Sequence, residues 1–320
     1  MIVSISIIIP TYNRAETLKK TLQAYASQTG PHEILEVLVV DDGSKDHTQA
    51  AVAEFLCNYP VSLRYLRQEK KGIPAARNYG IREARGNVIL FGDDDIIPAP
   101  DLVAQHADWH RRNPDENVGV LGYVAFSPEL RPTPFMVWAN QYGPQFAYAY
   151  LTPGAEVEYR CAGFWNTSLK TDFLRRNGIF DESFRRFGWE DVELSYRLHQ
   201  RGYRVLYNSA AVGYHYKFET FANTCSRIKL TWDSLPIFAT TDAGRNYLAL
   251  LNEHRVSSRR QSIPFFRKMA RLLKPIAIPV LRPLLDTRIP LPDSVYDAVW
   301  YYYSAPIIDQ AIHSWERLEP

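Results

Sequence analysis

Cysteine is scarce: the 320 residues carry only Cys57, Cys161 and Cys225. Three widely spaced thiols supply neither a CxxC metal site nor an even-numbered disulfide framework. That excludes a thiolate zinc scaffold and a stapled secreted domain, and leaves a reducing compartment, the cytoplasm, as the expectation. Long apolar runs are missing too. None approaches the roughly 18 residues needed to cross a bilayer, so any membrane contact is expected to be peripheral. The first ten residues lack a basic n-region and a cleavage site and read as a strand rather than a secretory leader. An excess of one charge is also absent, since a net charge of +2 gives no footing for a nucleic-acid partner. What is present is a chain with 46% hydrophobic residues, enough for one large α/β domain or two modest ones.

From the start, β-branched apolar runs alternate with amphipathic segments, the pattern of parallel βαβ units. Ile5 to Ile9 predict the first buried strand. Asn13 followed by Glu16 suggests a capping box, with Leu18, Leu22 and Tyr25 recurring at helical spacing behind it. Strands are expected at 35–40, 63–66 and 88–91, and helices at 46–56 and 73–84. The class is therefore α/β, a Rossmann-like open and mostly parallel sheet flanked by helices. Such a sheet binds ligands beyond the carboxyl ends of its strands.

The informative polar clusters fall at those ends. Pro10-Thr11-Tyr12-Asn13-Arg14 follows the first strand, Asp41-Asp42-Gly43-Ser44 the second, and Gly92-Asp93-Asp94-Asp95 the strand ending at Phe91. Asp-Gly-Ser alone reads equally well as a turn and helix cap. Three consecutive aspartates repel one another unless a cation or a hydrogen-bond network compensates them. A solvated acidic loop is the plainer alternative, but a hard cation, Mg²⁺ or Mn²⁺, suits an Asp-x-Asp loop that also meets substrate phosphates.

In order and spacing, Ile5 to Arg14, Asp41 to Ser44, Gly72 to Asn78 and Asp93 to Asp95 resemble the nucleotide-sugar half of family 2 glycosyltransferases. Gly163 to Leu169, Phe180-Asp181-Glu182 and Gly188-Trp189-Glu190-Asp191-Val192-Glu193-Leu194 resemble an acceptor half of the galactosyltransferase type. The resemblance covers roughly residues 1–220. It implies the GT-A fold, with 1–98 as the donor half, 99–220 as the acceptor half and 221–320 as a helical C-terminal extension. It also implies an inverting, metal-dependent transfer of a sugar, UDP-hexose or UDP-N-acetylhexosamine being the expected donor, to a glycan or lipid-linked acceptor in surface polysaccharide or glycolipid synthesis.

Carried over by position, Pro10, Thr11, Tyr12, Arg14 and Asp42 would line the nucleoside pocket, with Asp42 accepting from the base edge. Gly72, Arg77, Asp93 and Asp94 would contact the rest of the donor, and Asp95 would bind the metal. For Arg77 the bland alternative is a salt bridge on a helix surface. Inversion needs a base on the face opposite the diphosphate. Asp191 is the candidate, with Glu190 binding acceptor hydroxyls and Trp189 offering an indole for a sugar to stack on. Acids opening a helix that stops at Gly202 also complement its macrodipole, which is the structural reading of the same pair. His215, between Tyr214 and Tyr216, is either a packed core histidine or, as the resemblance implies, a second metal ligand.

Ser127 to Gly154 is rich in proline and aromatics that either stack on sugars or pack against the domain. Phe221 to Leu251 read as helices suited to covering a sheet edge or to a homo-oligomer contact. From Arg255 to Arg282 the chain carries eight basic residues and no acid, interleaved with apolar ones. That pattern suits an anionic membrane surface and, equally, a solvated helix face. Among rivals, an aspartyl phosphatase would want Thr or Val after Asp95, where Ile96 stands. A nucleotidyltransferase would want a glycine-rich loop in place of Pro10 to Arg14. A non-catalytic carbohydrate-binding protein would tolerate loss of Asp95 or Asp191.

Overall fold

The first strand is apolar on both faces, and its flanks explain why. In the computed structural model, which describes residues 2–30, 33–143, 146–185, 188–260 and 279–316, Ile7 and Ile9 point into one core and Ile8 into another. Val37 and Val39 share the first of these cores, and Leu38 and Val40 the second. Period-2 alternation thus fills both sides of a covered sheet, as expected for parallel strands buried between helix layers.

The strands are β1 (Ile5–Thr11), β2 (Ile34–Asp41), β3 (Ser62–Arg67), β4 (Val88–Phe91), β5 (Ile96–Pro98), β6 (Val118–Phe126), β7 (Glu156–Val157), β8 (Thr167–Lys170) and β9 (Arg204–His215). They form one sheet in the order β3-β2-β1-β4-β8-β6-β9-β5, with β7 pairing β9. The β3-β2-β1-β4 block is wholly parallel, so the ends of β1, β2 and β4 lie on one edge. Beyond β4 the sheet is mixed: β6 and β9 are parallel, while β8, β5 and β7 join antiparallel. β9 runs unbroken over twelve residues. Its register jumps from Gly122↔Asn208 to Tyr123↔Val212, a bulge that absorbs Ser209 to Ala211.

The helices of this part are α1 (Ala15–Ala26), α2 (Thr48–Leu56), α3 (Ile73–Glu83), α4 (Leu102–Arg112), α6 (Thr171–Asn177) and α7 (Glu190–His199), with α5 (Pro134–Gln141) between α4 and α6 in sequence. Helix α1 buries Leu18, Leu22 and Tyr25 as the spacing predicts. The capping box does not form. Asn13 sits at φ 53°, outside the extended region a cap needs, and its Oδ1 accepts instead from the Lys45 N–H at 2.7 Å.

The chain divides into two units. The first comprises Met1–Arg131, Phe146–Arg185 and Glu190–Lys217; the second comprises Pro132–Gln145, Arg186–Trp189 and Phe218–Pro320. The second unit holds α5, α8 (Phe221–Asp233), α9 (Leu235–Ala239), α10 (Asp242–Arg260) and a last helix, Asp293–Glu316. Its core packs Phe135 and Trp138 of α5 with Phe221, Leu285, Tyr296 and Val299. The aromatic stretch 127–154 is therefore shared, because Phe146 and Tyr148 belong to the first unit. No helix among the described residues is long and apolar enough to cross a membrane. Most of the basic run 255–282 lies outside the described residues.

Candidate active site

The three loops beyond β1, β2 and β4 are bonded to one another. Asp42 N–H donates to Thr11 O at 2.9 Å, and Asn13 N–H to Ser44 Oγ at 2.8 Å. Thr11 Oγ1 donates to Asp94 Oδ2 at 2.8 Å, which joins the first loop to the aspartate run. These cross-loop bonds follow from the parallel register that sets Thr11 opposite Asp41 and Ile8 opposite Phe91.

Asp42 is buried and its carboxylate is already engaged. Oδ1 accepts from Gln68 Nε2 and Lys71 N–H, each at 2.8 Å, and Oδ2 from Gly72 N–H at 2.8 Å. Gly72 sits at φ 101°, a conformation side chains rarely adopt, which is how its N–H turns back to Asp42 just before α3. The expected base-edge acceptor is thus also the clamp that shapes the 68–72 turn. Tyr12 was expected to offer a ring to the base. Lys70 Nζ lies 3.8 Å from that ring's centroid, a cation–π contact over one of its faces.

In the acidic loop the compensation expected from a cation comes from two arginines. Arg14 Nη1 bonds Asp94 Oδ1 at 3.0 Å and also Asp95 Oδ2. Arg77 is buried rather than on a helix surface. Its Nη2 is 3.4 Å from Asp93 Oδ1 and its Nη1 2.7 Å from Asp191 Oδ1. Burial raises the Asp93 carboxyl, with Arg77 opposing and the neighbouring aspartates adding to the rise, although 29% of its side chain stays exposed. Asp94 is likewise raised by burial against the pull of Arg14. Asp95 goes the other way: against the push of burial, His215 and Arg14 hold it well below the usual carboxylate range. Asp95 is therefore the more firmly anionic of these two neighbours.

His215 reaches Asp95 through sheet pairing across 120 residues of sequence. Ile96 of β5 is in register with His215 of β9, and Tyr216 N–H donates to Asp95 O at 2.7 Å. His215 Nε2 then faces Asp95 Oδ2 at 3.5 Å. A carboxylate oxygen and an imidazole nitrogen at this separation fit two ligands of one Mn²⁺ or Mg²⁺ ion completed by phosphate and water. Among the described residues no group of three or more His, Cys, Asp or Glu side chains is disposed to hold a metal, so such a site would depend on the substrate.

Asp191 opens α7, where Glu190, Asp191 and Glu193 stand in the first turn. Its Oδ2 accepts from Phe164 N–H at 3.4 Å, and Arg77 holds Oδ1. Glu190 is buried beside it in sequence. Trp189 is not a free platform for a sugar. It packs in the second unit, stacked on Phe238 at 4.5 Å, edge-on to Trp232 and Tyr247, with Nε1 donating to Thr231 O at 2.7 Å. It also sits at φ 74°, rare for a bulky residue.

Several residues of the site escape sequence reasoning. Asn78 exchanges bonds with Phe180: Nδ2 donates to Phe180 O and Oδ1 accepts from Phe180 N–H, each at 2.9 Å, so it pins the 180–182 turn. Trp165, at the level of Asp191 through its neighbour Phe164, packs on Phe146 at 5.0 Å and donates Nε1 to Tyr148 Oη. Phe146 and Phe126 in turn flank His215. A Trp two residues after Gly163 in a motif of mixed residues carries no periodicity that would have marked it.

Comparison with known proteins bears on this arrangement. The family model described as Glycosyl transferase family 2 matches residues 6–171. A validoxylamine A glucosyltransferase of Streptomyces hygroscopicus subsp. jinggangensis is 34% identical over 222 residues, covering 62% of this chain and 52% of that protein. A chondroitin synthase of Escherichia coli is 29% identical over 245 residues, covering 66% and 34% respectively. The chain thus spans between about a third and a half of the length of these relatives. Among solved structures, a mannosyltransferase from Pyrobaculum calidifontis in complex with GDP-Man and Mn²⁺ superposes with TM-score 0.54 at 20% identity, covering 98% of this chain and 74% of that one. S. aureus TarS 1–349 in complex with UDP-GlcNAc gives 0.56 at 18% identity, covering 97% and 92%. The shared architecture is the GT-A fold.

Proposed function

The chain belongs to glycosyl transferase family 2 and is a glycosyltransferase, and from that footing we propose that it transfers a sugar from a nucleoside-diphosphate donor to an acceptor hydroxyl with inversion. The reading rests on one observation: the run Asp95–Asp94–Asp93 is joined to Asp191 through the single buried guanidinium of Arg77. A donor-side acidic loop and a candidate base are thereby held in one polar network.

In this reading Thr11, Tyr12 and the Asp42 clamp receive the nucleoside, and Asp95 with His215 would hold a divalent ion. Such an ion, Mn²⁺ or Mg²⁺, would supply charge stabilisation to the departing diphosphate. The acceptor oxygen forms its new C–O bond as the sugar's bond to the diphosphate breaks, and its proton passes to Asp191. The burial of the aspartates strengthens every charge interaction there relative to water.

UDP-hexose or UDP-N-acetylhexosamine is the proposed donor, and a glycan or lipid-linked acceptor of surface polysaccharide or glycolipid synthesis the proposed acceptor. For a lipid-linked acceptor the basic segment 255–282 would meet the inner face of the membrane. Its removal should then abolish flotation with anionic liposomes. The test of the main reading is a thermal-shift panel of UDP-, GDP-, dTDP- and CMP-sugars with and without Mn²⁺. One donor should raise the melting temperature more with Mn²⁺ than without, and the free nucleotide should appear slowly by hydrolysis. A panel with no metal-dependent shift would overturn it.

A further inference from the structure

We propose that Arg14 is the built-in counter-cation of the Asp94–Asp95 pair and must leave Asp95 before that carboxylate can serve a divalent ion, so that metal and nucleotide load together. This rests on the metal-assisted reading above and assigns Arg14 a positioning role beyond lining the nucleoside pocket.

The geometry is specific to one oxygen. Asp95 Oδ2 is the atom that faces His215 Nε2 at 3.5 Å, and it is the same atom that Arg14 Nη1 occupies. A divalent ion shared by Asp95 and His215 would therefore stand against a permanently charged guanidinium, and like charges at contact distance repel. Arg14 can withdraw. Its side chain is 42% exposed, whereas those of Asp94 and Asp95 are only 7% and 10% exposed, so the arginine reaches into the acids from the solvent side. Asp94 stays ordered when it does, because Thr11 Oγ1 holds the other oxygen, Oδ2, at 2.8 Å.

Withdrawal breaks two ion pairs, and an incoming diphosphate restores the lost partner by bringing negative charge to the same loop. Metal alone must displace Arg14 without that compensation, whereas metal with nucleotide does not. The consequence is positive coupling between the two ligands, reciprocal by linkage.

The test is an Mn²⁺ titration read by electron paramagnetic resonance of the free ion, on the full chain, with Mn²⁺ alone and with UDP or GDP present. Wild type is compared with Arg14→Met and Arg14→Gln, two neutral side chains of different polarity, so that either one carries the test if the other fails to fold. The neutral variants should bind Mn²⁺ alone on the order of tenfold tighter than wild type, and the nucleotide's enhancement of Mn²⁺ affinity should shrink by a similar factor. If wild type takes up Mn²⁺ with nucleotide but the variants show unchanged or weaker affinity for Mn²⁺ alone, the role of Arg14 is overturned and the metal reading survives. If wild type takes up no Mn²⁺ even with nucleotide, the metal reading falls and this inference with it.

Discussion

Arg77 Nη1 lies 2.7 Å from Asp191 Oδ1, with only 5% of the arginine side chain exposed. A buried cation so placed fixes the carboxylate's position. It also makes α3, which carries Arg77, a support for the acid at the start of α7. Lysine at this position lacks the spread fork by which Nη1 reaches Asp191 and Nη2 reaches Asp93, so it would not hold both acids in their present places. Arg77→Lys should therefore lower kcat at least about 10²-fold through misplacement of Asp191. Arg77→Met should in addition cost roughly 3–5 kcal/mol of stability, by leaving buried carboxylates uncompensated. A Lys variant with wild-type kcat in a nucleotide-release assay would show that the bridge does not position Asp191.

Asp191→Asn keeps the size of the side chain and an oxygen for Arg77 to bond, while removing the proton acceptor. Transfer should fall by about 10²–10⁴-fold, the usual contribution of a positioned base. Nucleotide affinity, measured by isothermal titration, should be unchanged because Thr11, Tyr12 and Asp42 are untouched. Equal losses in affinity and turnover would point to a structural rather than a chemical role.

His215→Ala separates packing from ligation. The ring is buried between Phe126 and Phe146, at 5.5 and 6.2 Å. If its main duty is to the metal, the Mn²⁺ concentration giving half-maximal activity should rise on the order of ten- to a hundredfold. The melting temperature should fall by no more than about 4 °C, the equivalent of a modest packing loss. Loss of fold at an unchanged Mn²⁺ requirement would mark a core histidine.

The contrast between Arg77 and Asp95 shows what one sequence can and cannot reveal. The strands of the donor half were legible because Ile7 to Ile9 and Leu38 to Val40 are apolar at every position, as parallel strands buried on both faces need. The place of the aspartate loops was legible as well, since ligand loops follow the carboxyl ends of such strands. Their partners were not. Arg77 meets Asp191 114 positions later in the chain, and nothing local to either residue encodes the pairing. Asn13 and Glu16 matched a capping pattern, but Asn13 adopts φ 53° and its side chain is spent on the Lys45 amide. Trp189 was expected to meet a sugar from its motif, whereas its ring satisfies the aromatic core of the second unit, through Phe238, Trp232 and Tyr247. Local pattern specified elements and loop positions; tertiary competition decided which side chains remained available.

The buried histidines of α4 give a prediction that depends on charge state alone. His106 Nε2 lies 2.9 Å from Asn166 Oδ1, its Nδ1 lies 2.8 Å from Ser168 Oγ, and His110 Nε2 lies 2.8 Å from the same Oγ. Asn166 Nδ2 donates to Tyr123 O and Ala211 O, so its Oδ1 must be the acceptor facing His106. With His106 neutral, as burial favours, the consistent assignment has His106 Nε2–H donating to Asn166, Ser168 O–H donating to His106 Nδ1, and His110 Nε2–H donating to Ser168. Both rings are then neutral, and a second proton on His106 would abut the Ser168 hydroxyl already pointing at it. Burial lowers the His106 pKa to about 4, with the Asn166 bond opposing, and it lowers His110 as well. Between the unfolded value near 6.5 and the folded value the denatured chain binds the proton and the native chain does not. Stability is therefore fully present above about pH 6.5 and declines as the pH falls towards 4, by about 3 kcal/mol for His106 alone. Urea unfolding at pH 7 and pH 4.5 should show this decline in wild type, and His106→Gln, which cannot titrate, should show a decline smaller by most of that amount. Equal declines in the two proteins would mean that His106 is not held neutral by its surroundings.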